Sequence, residues 1–180
     1  MNDLTTTCKQ NYIPLKNLIL FVWDIEMAST LDIWNKTSAL PAGKWTFTRM
    51  LCLKAPYFGS ISPLFEELKP NFCKISIKKK RSVLNHLGTV HAIAMCNMAE
   101  LAGGTMTELT VPSTNRWIPK GMTVKYLKKA GTDLIAIATP VESNYDWEKA
   151  GEYLVNVDVF DRNNDKVFHA TITMWISKKK

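Results

Sequence analysis

A chain of 180 residues, 46% hydrophobic and 22% charged, is long enough to bury one sizeable core and short for two, so a single globular domain is predicted and a disordered chain excluded. Its formal charge of +7, with a pI near 9.2, favours anionic partners such as phosphorylated cofactors, nucleic acid or acidic membranes, without choosing among them. The four cysteines, Cys8, Cys52, Cys73 and Cys96, form neither a Cys-x-x-Cys pair nor a zinc-type spacing, so free thiols in a reducing cytoplasm and no metal centre are expected.

Residues 1–30 stand apart as an extension of unknown role. Their apolar run Leu18-Ile19-Leu20-Phe21-Val22-Trp23 falls far below the roughly 20 residues of a bilayer span. Asp24 and Glu26 follow where a signal peptide would carry small residues, so neither a membrane span nor secretion is expected. Residues 31–180 read as one domain. From Leu31 to Leu53 the apolar residues are loosely spaced and Pro41-Ala42-Gly43 interrupts them, predicting two short helices broken at that turn. Tyr57 to Ile61 reads as extended. Asn71 to Lys79 alternates, with Cys73, Ile75 and Ile77 on one face and Lys74, Ser76 and Lys78 on the other, which is the pattern of a half-buried strand.

After the basic turn from Lys79 to Asn85 the period changes. Val90, Ile93, Ala94, Met98, Leu101 and Ala102 recur at helical spacing, predicting a helix buried along one stripe, with Gly103-Gly104 as its stop. Strands are then predicted at Trp117–Ile118, Met122–Lys129, Thr132–Thr139, Glu152–Asp161 and Lys166–Ile176, the last two joined by the polar turn Asp161–Asp165. A strand, a buried helix and a run of antiparallel strands make an α+β order. The apolar face of such a sheet must be covered, and one long helix lying across it does so. An edge strand left exposed would be sealed by a second subunit, so a dimer or a pair of dimers is expected.

The segment richest in chemistry runs Asn85-His86-Leu87-Gly88-Thr89-Val90-His91-Ala92 and on to Glu100. It resembles the active-site stretch of hotdog thioesterases of the phenylacetate type and of the human thioesterase superfamily, and in particular the DUF4442 branch. There an Asn precedes Gly-Thr and a His-Gly pair, and an acid follows nine residues after the His; Asn85, Gly88, Thr89, His91 and Glu100 match in type and spacing. The resemblance implies a hotdog fold, an antiparallel sheet wrapped around a long central helix, here with extra N-terminal helices. It also implies hydrolysis of an acyl-CoA or acyl-carrier-protein thioester, with no cofactor beyond the coenzyme A of the substrate. Glu100 would be general base or nucleophile, Asn85 and His91 would complete the catalytic set, and Gly88 and Thr89 would line the substrate. The Ala92 amide would hold the carbonyl oxygen. Where the family has His-Gly-Gly this chain has His91-Ala92-Ile93; an alanine N–H donates equally well, but its methyl narrows the approach. Where those enzymes often place a serine or threonine on a later strand, the chain reads Ile118-Pro119-Lys120.

Ala92 and Glu100 are eight residues apart on the predicted helix, about 12 Å along its axis at a rise of ~1.5 Å per residue. Both can act on one thioester only if they come from different protomers. The helix N-terminus would add unpaired amides and positive partial charge for an oxyanion. Met98, Ala99, Leu101 and Ala102 around Glu100 predict its burial. Lys79, Lys80 and Arg81, within the run Lys78–Arg81, would meet coenzyme A phosphates or a carrier helix. Nucleic-acid binding is not expected, because the aromatics fall mostly at core-type strand positions. Three alternatives stay open. One is a non-catalytic hotdog that binds an acyl chain or carrier; another is a hydroxyacyl dehydratase using His86 and Glu100, 14 residues apart. The third is a structural dimerisation domain. His91 could equally cap the helix, and Asn85 could only shape the turn before it.

Overall fold

The computed structural model describes residues 29–179, so the readings of Cys8 and of the run 18–23 concern residues outside that range. Two helices come first, α1 (Thr30–Ser38) and α2 (Gly43–Lys54), followed by a 3-10 helix at Pro56–Ile61. The strands β1 (Leu64–Lys69) and β2 (Phe72–Ile77) lead through a short 3-10 turn at Arg81–Val83 to the central helix α3 (Ala92–Thr110). Four strands complete the chain: β3 (Asn115–Tyr126), β4 (Leu134–Pro140), β5 (Gly151–Phe160) and β6 (Lys166–Lys178). All six strands form one antiparallel sheet in the order β1-β2-β4-β5-β6-β3.

The predicted break between the first two helices is present, and Gly43 is what permits it. A Cβ at that position would sit 1.7 Å from the Thr37 carbonyl oxygen, so only glycine allows α2 to fold back so tightly. Ser29 opens α1 by accepting a hydrogen bond from the Asp32 amide at 3.2 Å. In β2 the alternation holds: Cys73, Ile75 and Ile77 are buried. The predicted turn between β5 and β6 is also present. There Asp161 Oδ1 accepts from the amides of Asn163 (2.9 Å) and Asp165 (3.0 Å), and Asn164 takes the left-handed conformation at φ 63°.

Three expectations are corrected, and one strand was not foreseen. Gly103-Gly104 does not end the helix, which runs on to Thr110. A Cβ on Gly103 would lie 2.7 Å from Ile172 Cδ1 and 3.5 Å from Val155 Cγ1, so this glycine lets the helix settle close upon the sheet. The packing gained there offsets the ~1 kcal/mol by which glycine is a poorer helix former than alanine. Tyr57–Ile61 is not extended but belongs to the 3-10 helix begun by Pro56. Strand β1 was not foreseen, because its Glu66-Glu67 pair sits at an irregularity between Phe65 and Glu67 that breaks the alternation. The two predicted pieces at Trp117–Ile118 and Met122–Lys129 are one strand, β3, with an irregularity between Pro119 and Gly121 and an end at Tyr126. Proline is tolerated there because β3 is an edge strand.

Helix α3 crosses one face of the sheet and buries Met98, Leu101 and Met106 to less than 2% exposure in a core with Ile75, Leu134, Phe168 and Ile172. The first two helices add a second packing layer. Trp34 meets Phe47 edge-on at 5.1 Å, and Phe47 meets Phe65 of β1 at 5.3 Å. The same layer closes the β1 edge: the Phe65 amide donates to Thr48 Oγ1 at 3.1 Å, and Lys44 Nζ donates to the Glu66 carbonyl at 2.6 Å. At the opposite edge β3 pairs with β6 alone among the described residues, and it exposes Ile118 by 60% and Tyr126 by 51%.

Candidate active site

The approach to α3 is fixed in three steps. First, Asp133 at the foot of β4 gathers the end of β2: the Lys79 amide donates to Oδ1 at 2.8 Å, while Arg162 Nη2 and Lys78 Nζ reach Oδ2 at 2.7 and 3.1 Å. The Lys79 amide and then the Arg162 guanidinium outweigh partial burial and hold the Asp133 carboxyl down at about 2. Lys79, Lys80 and Arg81 themselves face solvent, Lys80 Nζ resting 2.5 Å from Ser62 Oγ.

Second, residues 85–89 form a closed turn. Asn85 Oδ1 accepts from the amides of Leu87 (3.0 Å) and Thr89 (3.1 Å), and its Nδ2 donates to Thr89 Oγ1 at 2.8 Å. Gly88 takes φ +74°, where a side chain would be strained. Asn85 therefore shapes the turn, and one Nδ2 hydrogen is what remains for any other partner. Third, His91 caps α3: its Nδ1 accepts from the Ile93 amide at 3.0 Å, while its own amide donates to the Val83 carbonyl at 2.8 Å. Ala92 is the first helical residue, and its N–H meets no acceptor among the described residues.

Two cavities then lie along the outward side of α3, one on each side of the 3-10 helix Pro56–Ile61. The larger, about 490 Å³, is walled by Leu51, Phe58, Leu101, Trp117 and Pro119, and Glu100 lies at its border. The smaller, about 170 Å³, sits at the start of the helix and is lined by Tyr57, Ser60, Val83, His91, Ile93 and Asn97. Glu100 is exposed in the protomer, contrary to the burial its neighbours suggested. Met98, Leu101 and Ala102 turn toward the sheet, and Glu100 turns away from it. Farther along the large cavity a second acid is already engaged, Glu108 Oε2 accepting from Trp117 Nε1 at 2.7 Å.

The predicted residues thus divide between two places. His91 borders the small cavity with Ala92 beside it, Glu100 belongs to the large one, and the Asn85–Thr89 turn supports the first. Within one protomer Ala92 and Glu100 do not converge, being about 12 Å apart along one helix. His86 stands exposed on the turn. Sequence reasoning missed Trp117, Phe58 and Asn97. The signal for Asn97 was present: it is a polar residue three positions from Ala94 and four from Leu101, both buried, whereas Ile93, expected on the same stripe, is 55% exposed.

Among the described residues there is no cluster of three or more His, Cys, Asp or Glu side chains able to hold a metal ion, and no helix is long and apolar enough to cross a membrane. The family described as a domain of unknown function, DUF4442, matches residues 43–176. A crystal structure from a genomics programme is 45% identical, with a TM-score of 0.73 over 83% of this chain and 98% of the other. A thioesterase from Haemophilus influenzae superposes with a TM-score of 0.62 at 12% identity, over 72% of this chain and 87% of that one. A thioesterase family protein from Silicibacter pomeroyi gives 0.62 at 14% identity, over 73% and 96%. The likeness to these thioesterases is one of fold, and the fold is the hotdog. No curated protein matches the sequence.

Proposed function

The chain belongs to the DUF4442 family and carries the hotdog fold of thioesterase-family proteins, and from that premise we propose that it hydrolyses an acyl-CoA or acyl-carrier-protein thioester at a site shared by two subunits. The observation that carries this reading is the large, mostly apolar groove that has Glu100 at its border and reaches Pro119 on the open edge strand β3. A second copy paired along that edge would cover Glu100 and bring its own helix N-terminus toward it. In that arrangement the thioester carbonyl oxygen accepts a hydrogen bond from the Ala92 N–H of one protomer, at the positive end of the helix dipole. Glu100 of the other removes a proton from water, and the water oxygen adds to the carbonyl carbon. The C–S bond then breaks, the thiolate takes the proton back from Glu100, and a carboxylic acid and a free thiol leave. Lys79, Lys80 and Arg81, exposed near the entry to α3, suit the phosphates of coenzyme A or an acidic carrier.

The test is thiol release from short- to long-chain acyl-CoAs by the wild type and by Glu100→Gln. Wild-type turnover with a loss of about 10³-fold in kcat for the variant is expected, within the range general acid–base groups contribute. No release from any substrate would end the reading. Non-catalytic acyl binding is the second reading, favoured by the Ala92 methyl where the family has glycine; it predicts tight binding and recovery of the thioester intact.

A further inference from the structure

Two glycines stand side by side in the middle of α3, and packing accounts for one of them. Gly103 lets the helix lie close upon the sheet, at Ile172 and Val155. A Cβ on Gly104 would meet a single heavy atom beyond the backbone of its own helix, Trp117 Cη2 at 3.4 Å, which is ordinary van der Waals contact. An alanine would fit there and favour the helix by ~1 kcal/mol, so packing gives no reason for the glycine. What the glycine leaves is space. Glu100, Gly104 and Glu108 follow one another at four-residue spacing along one face of α3, and all three border the large cavity. The missing side chain makes a trough in the helix surface between two exposed glutamates, walled by Leu51, Phe58 and Trp117.

The trough has a definite end. Trp117 Nε1 donates to Glu108 Oε2 at 2.7 Å, which ties the half-buried indole of β3 across to α3. Beyond this bridge lies another cavity of about 520 Å³, which shares Thr30, Glu108 and Trp117 with the first and continues past Leu109 to Arg116 and Lys179. The bridge is therefore a partition. On the near side the walls are mostly carbon; on the far side an apolar chain would strip water from charged groups. From Glu100 to Glu108 the helix rises about 12 Å, at ~1.5 Å per residue. An extended chain advances ~1.2 Å per bond, so about ten carbons span that distance. At ~30 Å³ each they fill roughly 300 Å³, less than the cavity's 490 Å³, so length and not volume is the limit. A pantetheine arm does not suit the trough, because its amides would lose water there without gaining partners. We propose that the trough seats the acyl chain of a medium-chain thioester, about eight to ten carbons long, and that Trp117 sets this limit, with Glu108 positioning its indole. The thioester as ligand rests on the function proposed above; the limit on chain length does not need hydrolysis.

The experiment is calorimetric binding of straight-chain acyl-CoAs with even carbon numbers from four to sixteen, below their micelle concentrations, and of coenzyme A alone. It is done on the full chain carrying Glu100→Gln, so that nothing turns over. Affinity is expected to rise about tenfold for each two carbons up to about ten and to stop rising there. Trp117→Ala opens the partition and is expected to carry the rise on to about fourteen carbons, whereas Gly104→Leu fills the trough and is expected to end it near six. Glu108→Gln still offers an oxygen to the indole and is expected to keep the limit; Glu108→Ala is expected to relax it. The proposal is overturned if affinity climbs without a break to sixteen carbons, or if coenzyme A alone binds as tightly as its acyl forms. It is equally overturned if the break stays at one length in whichever of Trp117→Ala and Gly104→Leu folds. Thiol release by the otherwise wild-type protein tells the two readings apart. Turnover without any limit on chain length sinks this proposal and leaves hydrolysis standing, whereas a limit without turnover does the reverse.

Discussion

The two edges of the sheet are handled in opposite ways. At β1, α2 supplies a hydroxyl to the Phe65 amide and an ammonium to the Glu66 carbonyl, so backbone groups that would otherwise recruit another strand are already engaged. At β3 no such cover exists among the described residues, and Ile118, Met122 and Tyr126 are exposed along twelve residues of strand. The difference shows which edge the proposed second copy would take. The closed edge is satisfied within the chain, and the open edge lies beside the groove that carries Glu100, through Pro119.

The comparison breaks most visibly at the open edge. Met122→Lys combined with Tyr126→Lys is expected to convert a dimer into a monomer by light scattering and to lower thiol release about 10³-fold, because half of the shared site leaves with the partner. A dimer that persists, or a monomer that stays active, would refute the two-subunit site. At the closed edge the effects fall on stability. Trp34→Ala removes the 6%-exposed ring that holds the cover on β1 and is expected to cost about 3 kcal/mol in urea unfolding. Thr48→Val leaves the buried Phe65 amide without its acceptor and is expected to cost about 1–2 kcal/mol, with oligomeric state and activity unchanged.

Asp133, on neither edge strand, gives the smallest effect. Its folded-state value of about 2 lies below the ~3.9 of an unfolded aspartate, so its contribution is present above pH ~4 and is lost as pH falls toward 2. Asp133→Asn is expected to lower the melting temperature slightly at neutral pH and to flatten its fall between pH ~4 and ~2, as thermal melts across that window would record. Its partners Lys78 and Arg162 are mostly exposed, which keeps the effect small.

Much of this was legible in the sequence, and the exceptions have physical causes. The β2 alternation was readable because burial there follows one period against one sheet, and the α3 stripe held from Ala94 to Ala102 but not at Ile93, which is exposed beside the small cavity. Glu100 was misread because Ala99 and Leu101 are its neighbours in sequence but not on the helix surface. Its neighbours on that surface are three and four residues away, and one of them is Asn97. Gly103-Gly104 looked like a stop because the need for close contact with Ile172 is tertiary and leaves no local mark. The Asn85–Glu100 spacing pointed to a single site, whereas the structure sets His91 and Glu100 on separate cavities and engages the Asn85 side chain with Thr89 and Leu87.

If the open edge pairs with a second copy as proposed, the cover over β1 would also govern stoichiometry. A sheet with one open edge pairs once and is then finished, since the partner brings the same single edge and uses it. Remove residues 30–55, with Lys44 and Thr48 among them, and each copy would present two open edges. Every addition would then expose another, and growth would have no natural end. On this reasoning the first two helices, whose Leu51 also walls the groove beside Glu100, would decide whether copies of the protein stop at a pair or polymerise.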